Sequence, residues 1–145
     1  MNTIGPVRVL FLCIHNSARS QMAEAYLKKY GGDKFVAESA GLEAGNLNPF
    51  AVEVMKEEGM DLSGNQTKSV NDFFRQGRSY EYVISVCDES SASACPVFPG
   101  TNKKINWSFP DPSTFSGTHE ERLSATRKVR DQIKNAVIDW LEKSI

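Results

Sequence analysis

Residues 7–20 read VRVLFLCIHNSARS, and this stretch decides which fold the chain can adopt. Residues 7–12 form a short, mostly apolar run rich in β-branched side chains, which is typical of a buried strand. A polar loop over 13–19 follows. From Ser20 onward, apolar residues recur at helical spacing until two glycines at 31–32 end the pattern. We therefore predict a strand, a short loop and a helix in direct succession.

The rest of the chain repeats this alternation of strands and helices. Further strands are predicted over 35–41, 82–86 and 105–107. Further helices are predicted after Asn48-Pro49, over 69–75, and after a capping box formed by Thr118 and Glu121. The alternation predicts one α/β domain over residues 1–145, with a four-stranded parallel sheet flanked by helices.

The amino-acid composition argues against several classes of protein. The 17 Lys and Arg residues nearly balance the 18 Asp and Glu residues, which argues against a protein dedicated to nucleic acids or to a polybasic membrane contact. No apolar run approaches the roughly 20 residues of a membrane helix, and residues 1–6 lack the features of a signal peptide. We expect a cytoplasmic protein, with a monomer as the default state.

The loop over 13–19 has the features of an anion site. Because it ends at a helix N-terminus, several backbone N–H groups point at one place, and Arg19 adds a planar cation suited to oxyanions. The same field stabilises a thiolate at Cys13. The alternative interpretation is that Cys13 is a buried thiol and Arg19 a surface charge. The position of the loop between a strand and a helix favours a cradle that binds an oxyanion. Its predicted oxyanion-binding residues are Ile14, His15, Asn16, Ser17, Ala18, Arg19 and Ser20.

The other two cysteines, Cys87 and Cys95, flank a segment of small and polar residues. Cys87 directly follows a predicted strand, so it leaves the sheet at the same edge as Cys13. The spacing does not match a zinc site, and His15 and His119 are far apart in sequence, so no metal is predicted. Two unrelated buried thiols remain the alternative to a redox pair.

Asp111 lies between Pro110 and Pro112, which stiffen the backbone on both sides. A carboxyl group held beside an oxyanion is a candidate general acid. A turn-forming Asp-Pro is the alternative interpretation.

Several segments together resemble a known family. Residues 9–24, VLFLCIHNSARSQMAE, resemble the first motif of arsenate reductases built on the low-molecular-weight protein tyrosine phosphatase fold. Further similar segments are SAG at 39–41, Asn48-Pro49, DLS at 61–63, the pair of Cys87 and Cys95-Pro96, and WSFPDP at 107–112. The resemblance spans nearly the whole chain.

The resemblance implies a mechanism and partners. It implies that Cys13 attacks arsenate, that Cys87 resolves the adduct and releases arsenite, and that Cys95 then forms a disulfide with Cys87. Arg19 would bind the oxyanion and Asp111 would protonate the leaving oxygen. Thioredoxin is the implied reductant, phosphate and sulfate are the implied competing oxyanions, and no cofactor is implied.

The resemblance also bears on a cation site. Relatives that bind potassium beside the loop use an Asn, a Glu, a Ser and an Asp, and Asn16, Glu24 and Ser39 match the first three. The fourth position aligns with Lys68. We expect its ammonium group to occupy the cation position, which argues against potassium binding.

Two rival functions use the same residues. A low-molecular-weight protein tyrosine phosphatase would use Cys13 as its nucleophile but would leave Cys87 and Cys95 unexplained. An oxyanion- or arsenite-binding sensor would use the three thiols without turnover.

The remaining charged and aromatic clusters are given structural interpretations. The basic clusters Lys103-Lys104 and Arg127-Lys128-Arg130 are interpreted as solvated faces. Five aromatic side chains are predicted to lie in the core: Phe73, Phe74, Phe98, Trp107 and Trp140.

Overall fold

The computed structural model describes residues 6–14, 18–42, 45–87, 98, 100 and 102–144. The strands are β1 (Val7–Cys13), β2 (Phe35–Gly41), β3 (Tyr82–Ser85) and β4 (Lys103–Asn106). The α-helices are α1 (Arg19–Gly31), α2 (Pro49–Lys56), α3 (Val70–Arg75) and α4 (His119–Ser144), and short 3₁₀ turns cover Gly32–Lys34 and Pro112–Thr114.

The four strands form one sheet in the order β2-β1-β3-β4, and every pair of neighbours is parallel. The predicted α/β class and four-stranded parallel sheet are therefore confirmed. In a parallel sheet the carboxyl ends of the strands meet at one edge, where ligands bind. The end of β1 at Cys13 and the end of β3 before Cys87 both lie at that edge.

Strand β1 divides the interior into two clusters. Its alternate residues Val9, Phe11 and Cys13 belong to a large cluster with α1, α2 and α4, which we call the first core. Leu10 and Leu12 point to the opposite face and belong to a smaller cluster. This second core also contains Ala40, Val70, Phe73, Tyr80, Val83 and Phe98.

The predicted helix caps are present. Asn48 Oδ1 accepts hydrogen bonds from the N–H groups of Phe50 and Ala51, at 2.8 and 3.3 Å, ahead of Pro49. At the start of α4, the N–H of Thr118 donates to Glu121 Oε1 at 2.9 Å, and the N–H of Glu121 donates to Thr118 Oγ1 at 3.1 Å. The sequence therefore located these helix starts through local chemistry.

Several details of the elements differ from expectation. Strand β3 ends at Ser85, and β4 ends at Asn106 and begins earlier, at Lys103.

Tyr30, predicted on the apolar face of α1, is 41% exposed, and Phe74, predicted in the core, is 55% exposed. Helix α3 has only six residues, so Val70 and Phe73 suffice to fill the face that it turns to the sheet. Phe98 is buried as predicted, whereas Trp107 and Trp140 are partly buried against the first core.

Two of the three basic residues predicted as a solvated face on α4 instead bind partners on α2 and at its C-terminal end. Arg130 is buried, and its Nη1 atom donates to Val54 O at 3.0 Å and to Glu57 Oε1 at 2.8 Å. Arg127 also binds Glu57, at 2.8 Å from Nη2 to Oε2. The hydrogen bonds from Arg127 hold the pKa of Glu57 below its ordinary value. The interpretation was wrong for Arg127 and Arg130, because their partners at the C-terminal end of α2 lie 70 to 76 residues away in sequence. It is confirmed for Lys128, which is exposed.

Candidate active site

Cys13 is the last residue of β1 and is buried, with 2% of its surface exposed. Its Sγ atom lies 2.9 Å from Oγ of Ser20, which is in the first turn of α1. Either atom can donate in this contact, so the Ser20 hydroxyl is a direct hydrogen-bond partner of the sulfur. The sulfur thus lies at the junction of strand and helix that the sequence predicted, and it is a reduced thiol.

The N-terminus of α1 suits an anion. The residue that precedes the helix is Ala18, whose side chain cannot cap the first N–H groups. The helix dipole adds partial positive charge at the same place. Ala18, Arg19 and Ser20 lie at the start of α1, and Ile14 follows Cys13 directly; that they bind an oxyanion stays a prediction. His15, Asn16 and Ser17 lie outside the described residues, so their predicted part in the cradle stays a prediction.

Arg19 and Asp111 are brought together, although 92 positions separate them in the chain. Arg19 is buried, with 3% of its side chain exposed, and Nη2 lies 3.4 Å from Asp111 Oδ2. Its Nη1 atom donates to the backbone carbonyl of Phe109 at 3.0 Å. The guanidinium is therefore fixed by the same loop that carries the carboxylate. The contact with Phe109 O has no signature in the sequence, since any residue supplies a carbonyl.

The turn-forming interpretation of Asp111 is confirmed, and its part as a general acid stays a prediction. Its Oδ1 atom accepts hydrogen bonds from the N–H and the Oγ of Ser113, each at 2.9 Å, and so forms a turn that starts the 3₁₀ segment. Its Oδ2 atom faces Arg19. The turn fixes the side chain, and the second oxygen points to the residue that is predicted to bind the oxyanion.

Two aromatic rings hold the Asp111 loop against the sheet. Phe109 is buried, and its ring centroid lies 6.3 Å from that of Trp107. The Trp107 ring in turn lies 6.2 Å from Phe11 on β1. The strand that carries Cys13 and the loop that carries Asp111 are therefore packed together through a continuous set of side chains.

Cys87 lies beside the same end of β1. Its neighbour Val86 donates from its N–H to Leu12 O at 2.8 Å, so the residues that precede the two cysteines are hydrogen-bonded. Cys87 is 7% exposed and belongs to the first core, as Cys13 does. Cys87 is engaged in a disulfide. Cys95 lies outside the described residues.

The position of Lys68 agrees with the sequence-based expectation. Its Nζ atom lies 3.4 Å from Oε1 of the buried Glu24, and the same Oε1 accepts a hydrogen bond from Ser39 Oγ. Lys28, on the next turn of α1, binds the other carboxylate oxygen at 2.5 Å and was not predicted. Within the described part of the chain, no group of three or more His, Cys, Asp or Glu residues is arranged to hold a metal.

The profile of the low molecular weight phosphotyrosine protein phosphatase family matches residues 8–145. The chain belongs to this family. The fold of the chain is the one that the sequence resemblance implied.

Within the low molecular weight phosphatase family, similar relatives are named arsenate reductases. The arsenate reductase of Bacillus subtilis is 42% identical over 134 residues, which cover 92% of this chain and 94% of the relative. That of Halalkalibacterium halodurans is 39% identical over the same coverage. These matches confirm the resemblance stated from the sequence.

Solved structures with a similar fold include an arsenate reductase and a protein tyrosine phosphatase. A structure described as an arsenate reductase in the phosphate binding state has a TM-score of 0.77 and 33% identity, covering 94% of this chain and 98% of that one. A low molecular weight protein tyrosine phosphatase from T. tengcongensis has a TM-score of 0.72 and 26% identity, covering 94% and 99%. Among the described residues, no helix has the length and apolarity needed to cross a membrane.

Proposed function

We propose that this protein reduces arsenate to arsenite, with Cys13 as the nucleophile and Cys87 as the thiol that releases the product. The observation that carries the proposal is the place of Cys87. It enters the same core as Cys13, next to the same strand end, and it is engaged in a disulfide. Phosphatase chemistry accounts for Cys13, Arg19 and Asp111 but gives no part to a second cysteine. The 42% identity to an arsenate reductase supports the same choice.

The first step joins sulfur to arsenic. Arsenate enters the cradle, where the N–H groups of α1 and the Arg19 guanidinium bind its oxygens. The Cys13 thiolate, stabilised by Ser20, attacks arsenic. The As–O bond opposite the sulfur breaks, and Asp111 supplies the proton with which that oxygen leaves as water. Because arsenate oxygens replace Asp111 as partners of Arg19, substrate binding frees the carboxyl group to carry this proton.

The second step transfers the electrons. The Cys87 thiolate attacks the Cys13 sulfur, the S–As bond breaks, and its electron pair goes to arsenic. Arsenic passes from the pentavalent to the trivalent state and leaves as arsenite, while two thiols become the Cys13–Cys87 disulfide. Two electrons leave sulfur and two reach arsenic, so the step balances without a metal or an organic cofactor.

The third and fourth steps regenerate the thiols. Cys95 attacks Cys87, which forms a Cys87–Cys95 disulfide and releases Cys13 as a thiolate. A dithiol carrier, which we propose to be thioredoxin, then reduces that disulfide by exchange.

A second candidate function is hydrolysis of phosphate monoesters. The family match and the tyrosine phosphatase from T. tengcongensis favour it, because the same cradle and acid would serve a phosphoryl group. Water would then cleave a phosphocysteine at Cys13, and Cys87 would have no part. We propose weak phosphatase activity as a side reaction, with phosphate and sulfate as competing oxyanions. We further propose that the enzyme acts as a cytoplasmic monomer.

The deciding experiment measures arsenate-dependent oxidation of NADPH with thioredoxin and its reductase, and separately with glutaredoxin and glutathione. We expect turnover with the thioredoxin system. The matched control is Cys87→Ser, which should lose arsenite production but retain hydrolysis of p-nitrophenyl phosphate. Robust ester hydrolysis without arsenate reduction under either reducing system would instead assign the protein as a phosphatase.

A further inference from the structure

Gln21 is a polar side chain that lies fully buried in the second turn-forming position of α1. Its Nε2 atom donates to the backbone carbonyl of Gln66 at 3.0 Å, and its Oε1 atom accepts a hydrogen bond from Asn65 Nδ2, also at 3.0 Å. An apolar residue would fill this helix position without the cost of burying an amide group. The two hydrogen bonds tie residues 65–66 directly to the start of α1.

The tied segment carries Lys68 two residues later. The backbone carbonyl of Lys68 accepts a hydrogen bond from the N–H of Gly41, the last residue of β2, at 2.8 Å. The Lys68 Nζ atom lies 3.4 Å from Oε1 of Glu24, which follows Gln21 by three positions on α1. Residues three apart lie on the same face of a helix. One face of α1 therefore holds the backbone of the segment through Gln21 and its ammonium group through Glu24.

Glu24 is a buried negative charge close to the reactive sulfur, with 8% of its side chain exposed. It follows Ser20 by four positions, so the Cβ atoms of the two residues lie about 5–6 Å apart. The Ser20 hydroxyl in turn contacts Cys13 Sγ at 2.9 Å. An uncompensated anion at Glu24 disfavours a thiolate at Cys13 and a bound oxyanion, and its burial keeps solvent ions from screening it.

Two lysines face this carboxylate, and they differ in exposure. Lys28 binds Glu24 Oε2, but 58% of its side chain is exposed. The Lys68 side chain is 29% exposed. Because solvent weakens the interaction of exposed charges, Lys68 compensates the Glu24 charge more effectively than Lys28 does. The position of the segment 65–68 thus decides how much of that charge reaches the sulfur.

We propose that Gln21 is a positioning residue of the oxyanion site, which holds the segment 65–68 so that Lys68 neutralises Glu24 beside the reactive thiol. Without its two hydrogen bonds, the segment loses its direct tie to α1, the ammonium group moves into solvent, and the Glu24 charge acts on the cradle. This inference rests on the proposed use of Cys13 as the nucleophile of an oxyanion site. It holds equally for arsenate reduction and for hydrolysis of phosphate esters.

The test measures how inorganic phosphate protects Cys13 from iodoacetamide, with the labelled Cys13 peptide quantified by mass spectrometry in the full-length protein. Gln21→Met keeps the length of the side chain and removes both hydrogen bonds. At a fixed, slightly acidic pH the Cys13 alkylation rate should fall several-fold, because only the thiolate reacts. The Kd for phosphate should rise several-fold. Unchanged values in a folded Gln21→Met protein would overturn the proposal.

A second background separates positioning from a general loosening of the structure. Glu24→Gln removes the charge that Lys68 neutralises but keeps an oxygen that can accept the hydrogen bond from Ser39. In this background, Gln21→Met should leave the phosphate Kd and the alkylation rate unchanged, while the melting temperature still falls. Equal losses of phosphate binding with Glu24 and with Glu24→Gln would show a purely structural role and overturn the proposal.

A milder variant covers the case in which Gln21→Met does not fold. Asn65 is exposed, and Asn65→Ala removes only one of the two hydrogen bonds. It should change both measurements in the same direction as Gln21→Met but by less, and only when Glu24 is present. Unchanged values in Asn65→Ala would then overturn the proposal. Failure of phosphate to protect Cys13 in the wild type would instead contradict the proposed oxyanion site itself.

Discussion

The two faces of the sheet are covered in different ways. The first core lies under α1, α2 and the 26-residue α4, and it contains both Cys13 and Cys87. The second core lies under the six-residue α3 and is completed by Phe98. The first face therefore carries the two cysteines of the proposed reaction and has the more extensive packing. The second is covered by the short helix α3 and by Phe98, so its packing depends on fewer residues.

The largest effect is expected at the first face, where Cys13→Ser should remove all arsenate reduction. A serine hydroxyl is not ionised near neutral pH, and an oxygen at this position cannot form the disulfide with Cys87 that releases arsenite. Arsenite production is the measurement, and circular dichroism should show an unchanged fold. Ser20→Ala, which removes only the hydroxyl 2.9 Å from the sulfur, is the matched control and should retain part of the activity. Arsenite formation by Cys13→Ser would contradict the assignment of the nucleophile.

The same truncation on the two faces should differ in its effect on the free energy of unfolding. Val137→Ala removes a fully buried side chain from α4 and should cost about 2 kcal/mol, because the long helix cannot move to close the cavity. Val70→Ala, on α3, should cost less, because a six-residue helix can shift inward. Urea unfolding of both variants measures the difference. Equal losses would show that both faces are equally rigid.

Lys68 links the two faces, since it binds Glu24 on α1 and directly precedes Ser69, the N-cap of α3. With the Lys68 ammonium in place, the melting temperature and activity should not distinguish potassium from sodium at matched ionic strength. Lys68→Ala should create a potassium preference, and occupancy at ten times Kd corresponds to about 1.4 kcal/mol. Lys28→Ala, which removes an exposed lysine from the same carboxylate, is the control and should create none. A potassium-specific gain in the wild type would show that Lys68 does not occupy the cation position.

The smallest effect concerns the ion pairs that join α2 to α4 on the first face. Arg127 lowers the pKa of Glu57 in the folded state from its ordinary value of 4.5, so the pair stabilises the protein above that pH. The contribution is lost as pH falls through the lowered folded value. Glu57→Gln should therefore be less stable than the wild type at neutral pH by about 0–1 kcal/mol, with the gap closing in acid. Thermal unfolding from pH 7 to pH 3 tests the sign, and a gap that widens in acid would contradict it.

The sequence by itself determined the order of elements, the parallel sheet and the place of Cys13 between β1 and α1. These features depend on local patterns: apolar periodicity in β1 and α1, the Asn48 and Thr118 caps, and a loop that ends at a helix N-terminus. Each pattern acts over a few residues, so it can be read without knowing what the element packs against. Local patterns did not predict the exposure of Phe74, because that exposure depends on how much of a short helix the sheet covers.

Only the tertiary structure decided which distant residues meet. Arg19 contacts Phe109 O and Asp111 from the other half of the chain, and Arg130 finds Glu57 on another helix. The assignment of Cys87 to one face and of Phe98 to the other also had no signature in the sequence. Such contacts depend on how elements cross and pack, and periodicity reports only that a residue is buried, not what it is buried against. For this reason Cys13 was predicted as the nucleophile from the seven consecutive residues 13–19. The contacts of Arg19 with Phe109 and Asp111 could be identified only from the fold.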